Sequence, residues 1–361
     1  MSFIGAGICN FTCNSTSGCL AIGSVVVGGV GNNTCGGTFD LATCVFTVNP
    51  TVCNAGQYSF VGGGFQNIAI GCQSSVLGGL CNISCSQQAS IAGGLRNVIP
   101  SSGSYAFIGA GATNSSGGLA SAVVSGQNNN ASASQSFVGG GDSNYAQSPY
   151  STSVGGFGNN NVSCFGFIGS GCNNNITGNS SLVVGGVCNR ITAGNRGAIV
   201  GGFFNNSGSE DAFIGGGNCN FVCGASFSSV VGGVGNNTTG GTWSEANRCF
   251  TVAPTICNAG CYSFIGGGFQ NKSTAPYSTV GGGFRNSASS LACYASILGG
   301  RENCICNNSF YSSITGGSIN TISGGYGFIG NGANNVVTGT QGVVANGSAN
   351  TVSSTSSGSL S

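Results

Sequence analysis

The sequence predicts an all-β protein, a parallel β-solenoid of about twenty rungs of about 15 residues each. Three observations predict it. A phrase of the form Ser-Phe-Val-Gly-Gly-Gly-x-x-Asn recurs along the chain, as in Ser59 to Asn67 and again in Ser136 to Asn144. Anchored on its closing asparagine, the phrase occurs twenty times from Asn10 to Asn350, mostly 15 residues apart. Glycine stands three residues before all twenty anchors, and Val or Ile stands six before nineteen of them, Ser153 being the exception. A short fixed period means stacked like units.

The first element of each rung is a strand centred on that Val or Ile, a β-branched residue with one inward role per unit. Its two neighbours share the opposite face, because side chains alternate with period two. Where the first neighbour is Phe (Phe60, Phe107, Phe137, Phe167), the second is Gly. Where the first is Ser, Ala or Thr, the second is usually larger, as in Leu77, Val124, Val154, Val200 and Val231. Their volumes trade as close packing requires.

The corner follows. Glycine in every copy says that the backbone there needs positive φ, or that another backbone lies too close for a Cβ. The anchors Asn67, Asn82, Asn97, Asn114, Asn129, Asn144, Asn159, Asn174 and Asn189 are the heart of a column of stacked amides, each bonding the next. Simple tolerance of a turn is the alternative, but turn duty alone would let Gly or Asp substitute. A second short strand follows, as in Asn175-Ile176-Thr177 and Val336-Val337-Thr338.

The period breaks in three places. Asn10 to Asn32 holds an extra loop around Asn14–Gly18. Two longer insertions fall at about 36–56 and 240–260, offset by 204 positions and alike in sequence: Phe46-Thr47-Val48-Asn49-Pro50 matches Phe250-Thr251-Val252-Ala253-Pro254. Loops inserted into a solenoid project from one face, often a contact face. Phe39 and Asp40 in the first, and Trp243, Glu245 and Arg248 in the second, are therefore the candidate contact residues; a plain hairpin is the alternative. The whole reads as one continuous body over residues 1–352 with a polar Ser-rich tail at 353–361.

Charged residues are 4% of the chain, against a usual ~25%. Net charge is +1 with scattered basic residues, which gives no electrostatic footprint for nucleic acid. So few charges point to a covered or polymerised surface. No apolar run approaches the ~20 residues of a membrane helix. Met1–Gly7 already reads as the first rung, so no ordinary secretion signal is expected. Neither end shows a polar cap, which leads to the expectation of end-to-end stacking. Without histidine there is no imidazole base or ordinary triad, and the six carboxylates are scattered. No enzyme, cofactor or metal site is expected.

Twenty cysteines remain to be placed. Cys9/Cys13, Cys81/Cys85 and Cys219/Cys223 bracket anchors with one spacing, and Cys304/Cys306 follow another anchor. Cys44/Cys53 and Cys249/Cys257 could staple the inserted loops. Disulfides are the expectation for these pairs, with buried free thiols or ligation of a metal by four thiolates as alternatives.

The rung phrase with its following apolar-Ser/Thr strand resembles the head repeats of trimeric autotransporter adhesins, and similar repeats occur in phage and giant-virus fibre proteins. The resemblance covers nearly the whole chain. It implies a left-handed parallel β-roll, often three chains side by side, at an exposed surface. The function expected is a structural subunit of a self-assembling extracellular, cell-surface or virion-surface fibre. Its copies would join end to end, as a parallel trimer, or both, and disulfides would hold them. An adhesin that binds a surface receptor or glycan through the inserted loops is the alternative.

Overall fold

The computed structural model describes residues 1–12 and 22–353. The loop around Asn14–Gly18, Cys13 and most of the Ser-rich tail lie outside them. Among the described residues there are β-strands and no helix. They form a parallel β-solenoid of about twenty turns, in two compact units, Met1–Asn173 and Asn174–Ser361. The sequence suggests a single body; a repeat protein has no one core common to all its rungs, because each rung packs only on its neighbours.

In the first unit one column of two-residue strands runs from Phe3–Ile4 to Phe167–Ile168. Successive strands pair in parallel with no register shift, as in Phe137 on Thr152 and Val138 on Ser153. A second column runs from Ile68–Ala69 to Asn160–Asn161. A third contact, absent from the sequence reading, is a file of single-residue parallel bridges through Phe65, Leu80, Leu95 and Ala112. The second unit repeats the scheme, its first column running from Leu182–Val183 to Val343–Val344. Its second column breaks between Cys223 and Lys272, where the chain leaves the rung as a hairpin.

The core is the inward position of each strand. Val61, Val76, Ile91, Ile108, Val123 and Val138 have no exposed surface, and Ala69, Ile99, Ala131 and Ala146 face them from the second column. Each buried Val or Ile contributes about 1.5–3 kcal/mol. A second corner is closed by a small residue eight before the anchor. In several rungs that residue is a serine whose hydroxyl donates to the turn carbonyl, as Ser136 does to Ala133 at 2.7 Å and Ser151 to Ser148 at 2.6 Å, whereas the Ser74 hydroxyl has no partner.

All twenty anchor glycines have positive φ, from 84° to 120°. At Gly156 a Cβ would meet the amide Nδ2 of Asn159 at 2.7 Å and the backbone nitrogen of Gly171 at 2.8 Å. Both explanations offered for the glycine therefore hold at once. The residue after next, just before the anchor, is also left-handed although rarely glycine: Gln66 has φ 49°, Cys81 55° and Arg96 54°. Such residues cost roughly 1–2 kcal/mol each. Their N–H groups offset this by donating to the preceding rung, Gln66 to Val30, Cys81 to Phe65 and Arg96 to Leu80, each at 2.9 Å.

Candidate functional site

The anchors form a directional ladder. In the first unit it runs from Asn10 to Asn159. Each backbone N–H donates to the side-chain Oδ1 of the preceding anchor, as in Asn82 to Asn67 and Asn97 to Asn82, both at 3.0 Å. The side-chain amide turns the other way: Asn97 Nδ2 donates to Gly93 O within its own corner and to Gly111 O of the next rung, both at 2.9 Å. Asn174 begins the same series in the second unit, accepting from Asn189 at 3.0 Å. The ladder crosses both insertions unbroken, with Asn67 on Asn32 at 2.9 Å and Asn271 on Asn236 at 3.0 Å. From Asn32 to Asn335 these side chains are buried, so along that length the ladder is a spine and offers no surface.

The surface lies on the opposite face of the first strand. Phe107 and Phe137 fold their rings over Gly109 and Gly139, whose missing Cβ positions lie 3.5 and 3.4 Å from the ring edges. The rungs between carry Val124 and Val154 instead, so phenylalanine and valine alternate along the column. Phe107, Val124, Val154 and Phe167 are 41%, 43%, 44% and 38% exposed. In the second unit Val184, Val200, Phe213 and Val231 keep that face apolar, without strict alternation, and all are exposed. The face is apolar over many rungs.

A second outward column was not anticipated. Nine residues before successive anchors of the second unit stand Phe227, Tyr262, Tyr277, Tyr294, Tyr311 and Tyr326, all left-handed. Their rings stack face to face with centroids 4.7 to 5.4 Å apart. Recurrence of an aromatic at that one offset was the available signal. Burial against the neighbouring rings, with Tyr311 and Tyr277 adding to it, pushes the Tyr294 phenol above its ordinary value.

Both insertions are antiparallel hairpins, built alike. Thr38–Asp40 pairs with Val45–Val48, and Thr242–Ser244 with Cys249–Val252, each with a bulge at the same place. Phe39 packs on Phe46 and Phe65 with centroids at 5.0 and 5.5 Å; Trp243 packs on Phe250 and Phe269 at 5.1 and 6.1 Å. Gln66 and Gln270 each donate to a hairpin carbonyl at 2.6 Å. Phe39 and Trp243 thus clamp the hairpins to Phe65 and Phe269 of the solenoid and are left half-buried. Asp40 is a turn residue: its carboxylate accepts from Thr43 Oγ1 at 2.7 Å and the Ala42 N–H at 2.8 Å, bonds that lower its pKa. Glu245 and Arg248 remain exposed, as does Leu41 at 85%.

Of the cysteine pairs expected from spacing, the fold brings Cys304 and Cys306 into contact. Cys9, Cys44, Cys53, Cys81, Cys85, Cys219, Cys223, Cys249 and Cys257 carry free thiols; Cys13 lies outside the described residues. The strand Ile83–Ser84 lies between Cys81 and Cys85, and Cys223 ends the strand Phe221–Cys223 that begins two residues after Cys219; extended chain of this kind advances about 3.3 Å per residue. Cys44 sits at a hairpin tip and Cys53 at its base, and Cys249 and Cys257 are held apart by the intervening strands. Two other neighbours were not expected, Cys35 hydrogen-bonded to Cys53 and Cys249 near Cys219, while the sulfurs of the expected pair Cys304 and Cys306 lie 3.0 Å apart. Burial raises most of these thiols, Cys53 to about 12 and Cys219 to about 11.

No family model matches the chain, and no curated protein matches it. Among the described residues no group of three or more His, Cys, Asp or Glu side chains could hold a metal ion. Among them, too, no helix is long and apolar enough to cross a membrane.

Proposed function

We propose that this chain is a structural subunit of a self-assembling fibre or appendage at an extracellular, cell or virion surface. Its copies associate laterally through the outward phenylalanine–valine face and stack end to end. The observation that carries the reading is that face. A phenylalanine at such exposure presents roughly 60–100 Å², and a run of five or six such side chains reaches the few hundred Å² that monomers rarely leave uncovered. With 4% charged residues, little else on the chain would keep copies apart. The resemblance of the repeat to adhesin heads supports the same reading and favours three parallel chains. Cys35, Cys44 and Cys261 are exposed and accessible for covalent fixing of neighbours in an oxidising medium. The role is structural and needs no cofactor.

Sedimentation and negative-stain microscopy test this together. The native chain should form oligomers or fibres, and the triple variant Phe107→Ser, Phe137→Ser, Phe167→Ser should shift to monomers with unchanged circular dichroism. A native chain that stays monomeric at every concentration would refute the proposal.

The hairpins support a second reading, attachment to a surface receptor or glycan. Both are clamped in one geometry and hold out exposed tips. Deleting residues 36–56 and 240–260 should abolish attachment to cells or glycan-coated surfaces while assembly persists.

A further inference from the structure

Cys304 and Cys306 flank Ile305, and the strand sends Ile305 into the core at 0% exposure while both thiols face outward. Their sulfurs are in contact at 3.0 Å. Two residues along a strand place the Cα atoms about 6.6 Å apart, at the upper end of the range that disulfides span. The preceding rungs supply the surroundings. Ser287 is in register with Cys304, and Lys272 with Ser287. Thr321 follows in register on the next rung.

Most thiols of this chain with a displaced pKa are held in the protonated form by burial. Cys304 differs. The Cys306 thiol hydrogen-bonded to it, then Ser289 and the Lys272 ammonium, bring it down to about 7 against the opposing effect of burial. Cys306 moves the other way, since it keeps the shared proton. One sulfur is set up to attack and its neighbour holds the proton in reserve. Both are only partly buried, so a small reagent can reach them.

We propose that Cys304 and Cys306 form a thiol–disulfide exchange centre, with Cys304 as the nucleophile, Cys306 as the resolving thiol and a low-molecular-weight disulfide as the oxidant. The Cys304 thiolate attacks one sulfur of the oxidant; a Cys304–S–S–R bond forms, the oxidant's S–S bond breaks, and one RS⁻ leaves to take up a proton. Cys306 then loses its proton to solvent and attacks Cys304 Sγ. This closes the Cys304–Cys306 disulfide and releases the second thiol. Two cysteines are oxidised and one external disulfide is reduced to two thiols. With its Cα atoms near the limit of span and its sulfurs accessible, the closed bond belongs to the labile class, so the step runs in both directions.

The chain itself provides a clean assay. Tryptic cleavage after Arg301 releases residues 302–361, whose only cysteines are Cys304 and Cys306. The folded, fully reduced chain is treated with oxidised glutathione, quenched in acid, digested and weighed. The expected product is the intrachain disulfide with no glutathione retained. Cys306→Ser should retain one glutathione on Cys304, and Cys304→Ser should react at least about tenfold more slowly at neutral pH. The rate advantage of the native peptide over Cys261 should vanish in denaturant. Glutathione on both cysteines of the native peptide, or a reaction of 302–361 no faster than at Cys261 in the folded chain, would overturn the proposal.

Discussion

Asn159 donates its backbone N–H to Oδ1 of Asn144 at 3.1 Å, while Asn144 Nδ2 reaches the carbonyls of Gly140 and Gly156 at 2.9 and 2.8 Å. One buried amide thus serves as acceptor for the following rung and as donor to both its own corner and the next. No other side chain of that size supplies both ends. Asn144→Asp replaces the donor end with an acceptor facing two carbonyls, and should cost about 3 kcal/mol or more. Urea melts followed by circular dichroism would show it as a lowered midpoint.

Gly155 and Gly156 are neighbours with opposite expectations. A Cβ on Gly155 meets nothing within 4 Å, whereas Gly156 combines φ +93° with backbone from the next rung in the way. Gly155→Ala should therefore leave the unfolding free energy within about 0.5 kcal/mol of the parent. Gly156→Ala should destabilise by more than about 2 kcal/mol. Equal effects would mean that the corner is not tight.

Ser153 occupies the inward position that Val138 and Ile168 hold in the adjacent rungs, and its buried hydroxyl has no hydrogen-bond partner. Across from it Asn161 uses its amide on Thr152 O at 3.0 Å. Other rungs hold a Val opposite an Ile, as Val183 faces Ile191, so the space accepts the larger side chain. Ser153→Val should stabilise by about 1 kcal/mol, seen as a raised urea midpoint.

Trp243 is the only tryptophan of the chain, which makes its emission a reporter for one hairpin. Phe250 lies against both Trp243 and Phe269, at 5.1 and 6.3 Å. Phe250→Ala should shift the emission to longer wavelength and cost the hairpin clamp about 3 kcal/mol. The far-ultraviolet spectrum of the solenoid should hardly change. The matching Phe46→Ala should leave tryptophan emission untouched.

Arg196 binds Asp211 at 2.7 Å and Glu210 at 2.8 Å on the exposed surface. The hydrogen bond from Arg196 lowers the Asp211 carboxyl below its ordinary 3.8. A depressed folded value gives stability that is present above pH 3.8 and is lost as pH falls through the folded value. The parent should therefore melt slightly above Asp211→Asn at pH 6, and the two should converge in strong acid. Added salt should shrink the difference, since the pair is solvent-facing.

How much of this was legible depends on whether a position's requirement falls on a residue type. The glycine corner, the amide ladder and the inward Val or Ile are each satisfied by one chemistry only, so repetition makes them plain. The residue before each anchor is equally constrained in backbone, yet Gln66, Cys81, Arg96 and Thr113 all serve there. What it contributes is its N–H, which nearly every residue has, so composition carries no trace of it. Apart from Cys304 and Cys306, which spacing did pair, thiol neighbours were misread for a related reason. Spacing along the chain favours Cys219 with Cys223, whereas the folded rung sets Cys219 near Cys249 of the hairpin, and register decides that. Trp243 was visible as an unusual residue, but its partner Phe269 lies one rung on, past the whole insertion.

The left-handed corners carry a consequence for how the molecule is made. An isolated segment of 15 residues would have to hold such corners with nothing to receive their N–H groups; Gln66 finds its acceptor only on Val30. Each new turn is thus shaped on the surface of its predecessor, much as a crystal layer is laid on the layer below. Starting is then the slow event and extension the fast one, and a preformed fragment added to refolding chains should abolish the lag.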